Sequence, residues 1–385
     1  MSNLAAEKLT SMGKSPDWGQ LENYQAQVTF SDFRWLLESQ YAPNEAANEW
    51  IEIFPTHALI KRFTGDSEPF KLRFRPIDEA PSASPRYWQS RNELIDDQPD
   101  KPLGGIVVAL DPGHIGGDFA AMEHRSWKTD DGPLFREGDF VLEVAQRLKP
   151  RLEALGATVN LVRSEPKPVT TDTPDTLRPR AAELIAEKDA LTPGLDIQIE
   201  DQEKRITALA NLLFYRVSEI RARARIVNED IQPDLVLCLH VDATHFPKDR
   251  SLAERGYAHY LINGAYSKNE LSFDDQRLQM LIKLLNRSWE EERGLANAFT
   301  KSFRQINDLP PHVYTGSNAI RVDENPYVWA RNLMANRLFE CPTVFLEPCV
   351  ANADDFYLRL GDDRDALLEE YAEGVISGLL SYYAK

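Results

Sequence analysis

The sequence predicts an α/β fold, in which a mostly parallel sheet with helices on both faces is preceded by a small α+β N-terminal domain. From Gly105 onward, apolar strand patterns alternate with amphipathic helical patterns, as in a parallel sheet covered on both faces. Ahead of that region, one helical pattern precedes three short strand patterns. Prolines are concentrated between the two parts, which is typical of a linker.

We predict three parts in this chain of 385 residues. Residues 1–75 form a small accessory domain of unknown function, residues 76–104 a proline-rich linker, and residues 105–385 the large domain. The stretch from residue 164 to residue 221 is too long for a simple crossover between strands, and we interpret it as an insertion in the large domain.

Each element follows from local periodicity and capping. In the accessory domain, Thr29 and Asp32 resemble a capping box that opens a helix running through Leu37. The strands of this domain are predicted at residues 50–54, 58–63 and 71–74. The strands of the large domain are predicted at residues 106–110, 158–162, 235–239, 257–262 and 343–346. Its helices are predicted at residues 139–155, within 178–230 and 274–305, and from about residue 364, with 199–227 as one long helix.

The composition excludes several classes of protein. Hydrophobic residues at 42% and charged residues at 27% argue against disorder, collagen and coiled coil. The sequence contains no run of about 18 apolar residues, so we expect no transmembrane segment. The formal net charge of −17 repels a phosphate backbone, so nucleic acid is not an expected partner.

The three cysteines and the N-terminus bear on the cellular compartment. Cys238, Cys341 and Cys349 are expected to be buried free thiols, with a disulfide between Cys341 and Cys349 as the alternative. The N-terminus has no basic start followed by an apolar stretch, so no secretory signal peptide is visible. We expect either a cytoplasmic protein or one whose signal peptide is not part of this sequence.

Chemically active residues follow three apolar strands at the point where each strand ends. His114 comes shortly after the first, His240 directly after the second, and Glu347 directly after the third. The carboxyl ends of parallel strands meet at one edge of a sheet, so we expect these side chains to converge on one crevice. Zinc hydrolases usually hold their metal with three His or carboxylate ligands and leave the fourth position to water. Glu137, just before a predicted helix, is well placed as the third ligand.

We therefore predict one Zn²⁺ per chain, with His114, Glu137 and His240 as ligands and Glu347 as the catalytic carboxylate. Zinc lowers the pKa of bound water, and a nearby carboxylate takes the proton and passes it to the leaving nitrogen.

The same residues also fit purely structural roles. His114 and His240 are in place to cap strand ends, and the dipole at a helix start favours a carboxylate at Glu137. Asp111 and Asp242 are candidates to orient the imidazoles, although Asp111 equally fits the cap of a turn. The remaining histidines are expected to be structural or solvent-exposed: His57, His124, His245, His259 and His312.

Four sequence blocks occur in a fixed order along the large domain. They are D-P-G-H at 111–114, R-E-G-D at 136–139, the stretch 223–243 ending in H-V-D-A, and V-F-L-E-P-C-V-A-N at 344–352. Each block alone is a weak signal. In this order, and over about residues 105–380, they resemble the zinc-dependent N-acetylmuramoyl-L-alanine amidases.

The resemblance implies hydrolysis of the amide between the lactyl group of N-acetylmuramic acid and the L-alanine of the stem peptide in bacterial peptidoglycan. It assigns zinc binding to His114, Glu137 and His240 and catalysis to Glu347, in agreement with the roles predicted from the residues. Peptidoglycan or a muropeptide is then the expected substrate, and a regulatory partner would be of unknown identity. The cell envelope, either periplasm or extracellular space, is the expected location.

The chain departs from the family pattern in three places. Ile115 intervenes between His114 and the two glycines that usually follow it. The residues after Glu347 differ up to Asn352, which we keep as a candidate for substrate contact. The insertion at 164–221 is larger than usual, and we expect part of it, or of residues 264–300, to cover the cleft.

Two other functions remain as alternatives. One is a zinc amidohydrolase of similar fold that acts on a small acyl-amino acid, and the other is a cell-wall-binding protein without turnover. The accessory domain and the insertion favour a bulky polymer over a small substrate. The presence of all four chemical residues favours an enzyme over a binding protein.

Overall fold

The computed structural model describes residues 7–80, 84–94, 100–190, 199–244 and 251–383. Its strands are β1 (Ile51–Phe54), β2 (His57–Ile60), β3 (Phe70–Arg73), β4 (Val107–Pro112), β5 (Ser126–Trp127), β6 (Phe135–Arg136), β7 (Thr158–Leu161), β8 (Leu235–Leu239), β9 (His259–Ile262), β10 (Ile320–Arg321), β11 (Val328–Ala330) and β12 (Thr343–Glu347). Its α-helices are α1 (Phe30–Leu36), α2 (Glu137–Ala154), α3 (Pro174–Ala190), α4 (Ile199–Leu212), α5 (Glu219–Arg225), α6 (Lys268–Leu271), α7 (Asp274–Leu285), α8 (Ser288–Ile306), α9 (Met334–Leu338), α10 (Asp354–Tyr357) and α11 (Arg364–Tyr383).

Shorter helical segments of other types complete the description. The 3₁₀ segments are Trp18–Tyr24 and Gly117–Phe119, and the π-helical segments are Leu37–Tyr41, Leu213–Ser218 and Ile226–Ile231. Parts of the predicted linker (81–83 and 95–99) and of the predicted insertion (191–198) lie outside the described residues, as does His245.

The N-terminal part consists of the predicted helix followed by three strands. The Thr29 hydroxyl accepts the backbone N–H of Asp32 at 3.1 Å, which caps α1. β1, β2 and β3 form an antiparallel sheet in that order. The buried guanidinium of Arg277 in α7 donates to the Lys61 carbonyl and lies over the Trp50 ring, which attaches this part to the rest of the chain. One apolar cluster spans both parts, and the proposed domain boundaries stay predictions.

The large domain is built on a seven-stranded sheet with the order β10-β11-β9-β12-β8-β4-β7. β12, β8, β4 and β7 run parallel to one another, whereas β9 is antiparallel to β12. β11 is parallel to β9, and β10 pairs antiparallel with β11. The predicted mostly parallel sheet is confirmed. The sequence did not predict β10 and β11, because strands of two and three residues are too short to display a period.

Apolar side chains leave the sheet on both faces, in alternation along each strand. In β8, Leu235, Leu237 and Leu239 belong to an apolar cluster that also contains residues of α2, α8 and α11. Val236 and Cys238 belong to a second cluster, which includes residues of α5 and α9. Successive side chains of a strand point to opposite faces, so a strand that is apolar throughout needs helices on both sides. The two clusters provide that cover.

The predicted insertion packs directly on the segment that follows β4. α3 contacts α4, and the helical path continues unbroken from α4 through α5 to Ile231, which confirms the long helix predicted at 199–227. Leu177 of α3 and Phe214 of the π-helical segment Leu213–Ser218 share an apolar cluster with Ile115. The extra residue at position 115 is therefore buried against the insertion.

The three cysteines are free thiols, as expected. Cys238 and Cys341 are buried, and Cys349 is partly buried. The alternative disulfide between Cys341 and Cys349 is not formed.

In the part of the chain that the structure describes, no helix combines the length and the apolar character needed to cross a bilayer.

Candidate metal centre

Three neighbouring strand ends carry the candidate site. β4, β8 and β12 lie side by side and run parallel, so their carboxyl ends meet at one edge of the sheet. His114 follows β4, His240 follows β8, and Glu347 is the last residue of β12. Glu137 is the first residue of α2 and reaches the same place. All four side chains line one cleft.

His114, Glu137 and His240 form a group of potential metal ligands. One ligand atom of each lies within 4.8 Å of the other two. Glu137 Oε2 is 3.2 Å from His114 Nε2, and Glu137 Oε1 is 3.1 Å from His240 Nδ1. The Val241 backbone N–H also donates to Glu137 Oε1 and orients the carboxylate. Burial acts to raise the pKa of Glu137, but the two imidazoles hold that pKa below its usual range.

The chemistry of this group suits a divalent metal ion. Two imidazoles and one carboxylate are a donor set of zinc hydrolases. In the same cleft, Glu347 Oε2 is buried and has no hydrogen-bond partner among the described residues. A buried carboxylate without a partner is costly unless a positive charge lies close by. The residues present therefore fit a metal ion.

Glu347 faces the ligand group from the end of β12. Burial, and then the nearby carboxylates of Asp242 and Glu137, raise the pKa of Glu347 well above its usual range. Arg125 and Arg331 act in the opposite direction. A carboxyl group with a raised pKa in a cleft is suited to accepting and donating protons.

The turn that carries His114 has a constrained backbone. His114 has a φ of 57°, in the left-handed region that non-glycine residues rarely adopt. At Gly113, a Cβ atom would overlap the His240 ring. Two buried arginines hold this turn by its carbonyl oxygens, since Arg223 donates to His114 O at 2.6 Å and Arg163 to Gly113 O at 3.3 Å. These charge-assisted bonds stabilise the conformation that aims the imidazole.

Glu123 is a site residue that the sequence did not reveal. Its buried carboxylate lies 3.6 Å from His114 Nδ1 and accepts the backbone N–H groups of Ile115 and Gly116. A carboxylate next to the second nitrogen of a ligating imidazole selects the tautomer and orients the ring. Glu123 lies in an irregular turn between β4 and β5, where neither periodicity nor a known motif marks a residue.

Glu123→Gln is expected to weaken metal binding by about 10- to 100-fold, because the amide no longer attracts the Nδ1 proton of His114. Competition with a chromogenic chelator measures the affinity. Glu153→Gln changes a carboxylate on the exposed side of α2 and should bind metal as the wild type does. Equal affinities for all three proteins would contradict the role assigned to Glu123.

Asp111 contacts an arginine and not an imidazole. Arg223 Nη1 donates to Asp111 Oδ1 at 2.7 Å, and Arg223 Nε donates to Glu219 Oε1 at 2.9 Å. All three side chains are buried. Burial opposes the charge of Arg223, but the two carboxylates raise the pKa of its guanidinium. Asp111 therefore anchors the arginine that holds the His114 carbonyl.

Arg223→Gln is expected to lower the free energy of unfolding by about 3 to 5 kcal/mol, because it leaves two buried carboxylates without their partner. Urea denaturation followed by circular dichroism measures the change. Arg225→Gln removes an exposed arginine from the same helix and should change stability by less than about 0.5 kcal/mol. A stable Arg223→Gln protein would mean that water enters and solvates Asp111 and Glu219.

Asp242 and Asn352 have different surroundings. Asp242 lines the cleft, where its Oδ1 accepts the Ala243 N–H and its Oδ2 lies 3.9 Å from His259 Nδ1. Asn352 is fully buried, and its amide exchanges hydrogen bonds with the backbone and hydroxyl of Thr244. In the described structure, the contacts of Asn352 therefore tie down the segment that follows His240, while Asp242 faces the cleft.

The cleft extends well beyond the ligand group, with a volume of about 650 Å³. The insertion contributes one wall, which includes Tyr215 and Ile220, whereas none of the described lining residues comes from 264–300. A second wall is aromatic and contains Tyr257, His259, His312 and Tyr314. His259 and His312, expected to be structural or solvent-exposed, thus belong to the cleft.

Comparisons with known proteins agree on one family. The chain matches the model of the N-acetylmuramoyl-L-alanine amidase family over residues 108–377. It is also similar to the Staphylococcus aureus protein named "Probable cell wall amidase LytH", with 31% identity over 90 residues, or 23% of this chain and 29% of that protein. The matched region thus spans less than a third of the length of that relative.

The solved structures to which the chain is similar include two amidases. The apo form of the N-acetylmuramyl-L-alanine amidase Ami1 from Mycobacterium abscessus has 16% identity and a TM-score of 0.38, over 72% of this chain and 99% of that chain. The N-acetylmuramoyl-L-alanine amidase from Clostridium difficile 630 has 13% identity and a TM-score of 0.39, over 72% of this chain and 96% of that chain.

Proposed function

The chain belongs to the N-acetylmuramoyl-L-alanine amidase family, and on that premise we propose that it hydrolyses the amide between N-acetylmuramic acid and L-alanine in peptidoglycan. The observation that carries the proposal is the grouping of His114, Glu137 and His240 within 4.8 Å in the cleft that also contains Glu347. This arrangement combines a metal-binding donor set with a separate carboxylate that is free to move protons.

The metal in this proposal is one Zn²⁺ per chain, held by His114, Glu137 and His240. When bound, zinc polarises a carbonyl group and lowers the pKa of a water ligand. Glu347 accepts the proton of the attacking water on its buried carboxylate and delivers it to the leaving nitrogen. Glu123 and Arg223 keep the His114 imidazole and its turn in place during this reaction.

The substrate in this proposal is peptidoglycan or a muropeptide, and the site of action is the cell envelope, in the periplasm or outside the cell. The insertion supplies part of the cleft lining, at Tyr215 and Ile220, which supports a bulky polymeric substrate over a small acyl-amino acid. The four chemical residues in one cleft support an enzyme over a binding protein.

Digestion of purified sacculi and of a defined muropeptide, followed by mass spectrometry, tests the proposed function. We expect stem peptides with a free L-alanine amino group and glycan strands that are otherwise intact. Turnover of a small acyl-amino acid alone would indicate the amidohydrolase alternative. Sedimentation with sacculi in the absence of any product would indicate a binding protein.

A further inference from the structure

A second feature of the cleft lies on the side of Glu347 away from the metal ligands. The strand order β11-β9-β12-β8-β4 puts His240 and His114 on one side of Glu347 and puts β9 and β11 on the other. Arg331 directly follows β11, and its backbone N–H donates to the Ile262 carbonyl of β9 at 2.9 Å. The Arg331 side chain lines the cleft.

Arg331 has a positive charge that no carboxylate in the described chain pairs with. Its Nη1 donates to the Tyr314 hydroxyl at 3.4 Å, and its guanidinium lies 5.5 Å from the centre of that ring. Of the three other arginines that line the cleft, Arg125 and Arg223 are within ion-pair distance of a carboxylate. Arg216 belongs to the wall that the insertion contributes, where its guanidinium lies 5.9 Å from the centre of the Tyr215 ring. A guanidinium offers five N–H groups in a planar fork that matches a carboxylate. Arg331 therefore retains the capacity to bind one.

The aromatic wall keeps Tyr314, and through it Arg331, in position. The Tyr314 hydroxyl lies 3.2 Å from His259 Nε2, and its ring centre is 4.5 Å from that of His312 and 5.2 Å from that of Trp329. Burial, and then the charges of His312 and Arg331, lower the pKa of His259 to about 3. His259 is therefore neutral at neutral pH, and Arg331 is the cation of this wall.

We propose that Arg331 binds a free carboxylate on the stem peptide of the substrate, with Tyr314 as the positioning residue. The carboxylates of Glu137, Asp242 and Glu347 in the same cleft would repel an anionic peptide, and Arg331 offsets that repulsion at one defined place. The inference rests on the proposed function and adds to it a preference among stem peptides. The preferred stem peptide has a free carboxyl group close to the scissile amide, and its carboxamide counterpart binds more weakly.

Two synthetic N-acetylmuramoyl-L-alanyl peptides test this inference. They differ only in the branch carboxyl group of the second residue, which is a free acid in one and a carboxamide in the other. In Arg331→Gln, we expect the KM for the acid to rise by about 10- to 100-fold, the range of a hydrogen bond to a charged group. The KM for the carboxamide should change by less than about threefold, and any change in kcat should be the same for both substrates, because Arg331 also acts on the pKa of Glu347.

Further variants separate recognition from folding and from general electrostatics. Arg331→Lys keeps the charge without the planar fork and should give an intermediate KM for the acid. Tyr314→Phe removes the hydroxyl that positions Arg331 and should raise the same KM by about two- to fivefold. Arg321→Gln removes an exposed arginine from β10 and should behave as the wild type. Dissociation constants measured with Glu347→Gln protein, with and without the Arg331 change, should show the same preference in binding.

An equal rise in KM for both substrates in Arg331→Gln, or no rise for either, would overturn the carboxylate subsite and leave the proposed function intact. If Arg331→Gln does not fold, the KM values of Arg331→Lys for the acid and the carboxamide test the carboxylate subsite in the same way. Failure of the wild-type protein to hydrolyse either substrate would overturn the proposed function, and the subsite with it.

Discussion

Glu347→Gln is expected to slow muropeptide hydrolysis by about 10²- to 10⁴-fold while the metal content of the protein stays the same. Glutamine has nearly the shape of glutamate, but its amide does not accept a proton at neutral pH. Glu347 Oε2 has no hydrogen-bond partner among the described residues, so the change at that atom removes proton transfer without breaking a structural bond. Steady-state kinetics give kcat, and mass spectrometry of the metal gives its amount per chain.

A surface glutamate provides the control for this variant. Glu324 is fully exposed, and Glu324→Gln should keep both kcat and metal content. Full activity of Glu347→Gln would remove Glu347 from the mechanism. A loss of activity that parallels a loss of metal would make Glu347 a ligand and not the proton carrier.

The part of the site that the sequence predicted lies at the ends of regular, parallel strands. β8 is apolar throughout, and β4 and β12 are apolar except near their ends, so the positions of these strands follow from the local pattern. His114, His240 and Glu347 come at the carboxyl ends of these strands, and adjacent parallel strands bring such residues together. Glu137 was recognisable because it comes just before the helix predicted at 139–155; in the structure it is the first residue of α2.

The other half of the cleft was not predictable, because strand direction is not encoded in local apolarity. β9 was expected as a strand, but it runs antiparallel to β12, and the register pairs His259 with Glu347. Its first residue, and not its last, therefore lies at the active edge. Arg331 directly follows a three-residue strand, and a segment this short has no readable period.

Neighbours in sequence also proved poor guides to contact partners. Asp111 stands beside the His114 turn, yet its carboxylate binds Arg223, which comes from a helix far along the chain. Asn352 follows the Glu347 strand, yet its amide binds Thr244. Such polar partners depend on the tertiary packing of the insertion and of the loops, which sequence spacing does not determine.

His240→Ala is expected to abolish metal binding and, with it, hydrolysis. Loss of a residue that only orients a ligand weakens metal binding by about 10- to 100-fold, so loss of a ligand should weaken it by more than about 100-fold. Metal binding also stabilises the folded protein, by about 2.7 kcal/mol when free metal is a hundred times its dissociation constant. Addition of zinc should therefore raise the melting temperature of the wild type and leave that of His240→Ala unchanged.

The thermal measurement separates loss of the ligand from loss of packing, because the His240 ring also stacks on Phe345, with ring centres 5.2 Å apart. Removal of that contact lowers the melting temperature of the metal-free variant but does not affect the response to zinc. His57→Ala, a change in β2 of the N-terminal part, should keep the full response. If zinc raised the melting temperature of His240→Ala as much as that of the wild type, the stabilising metal would be bound elsewhere on the chain, and the ligand group of His114, Glu137 and His240 would lose its assignment.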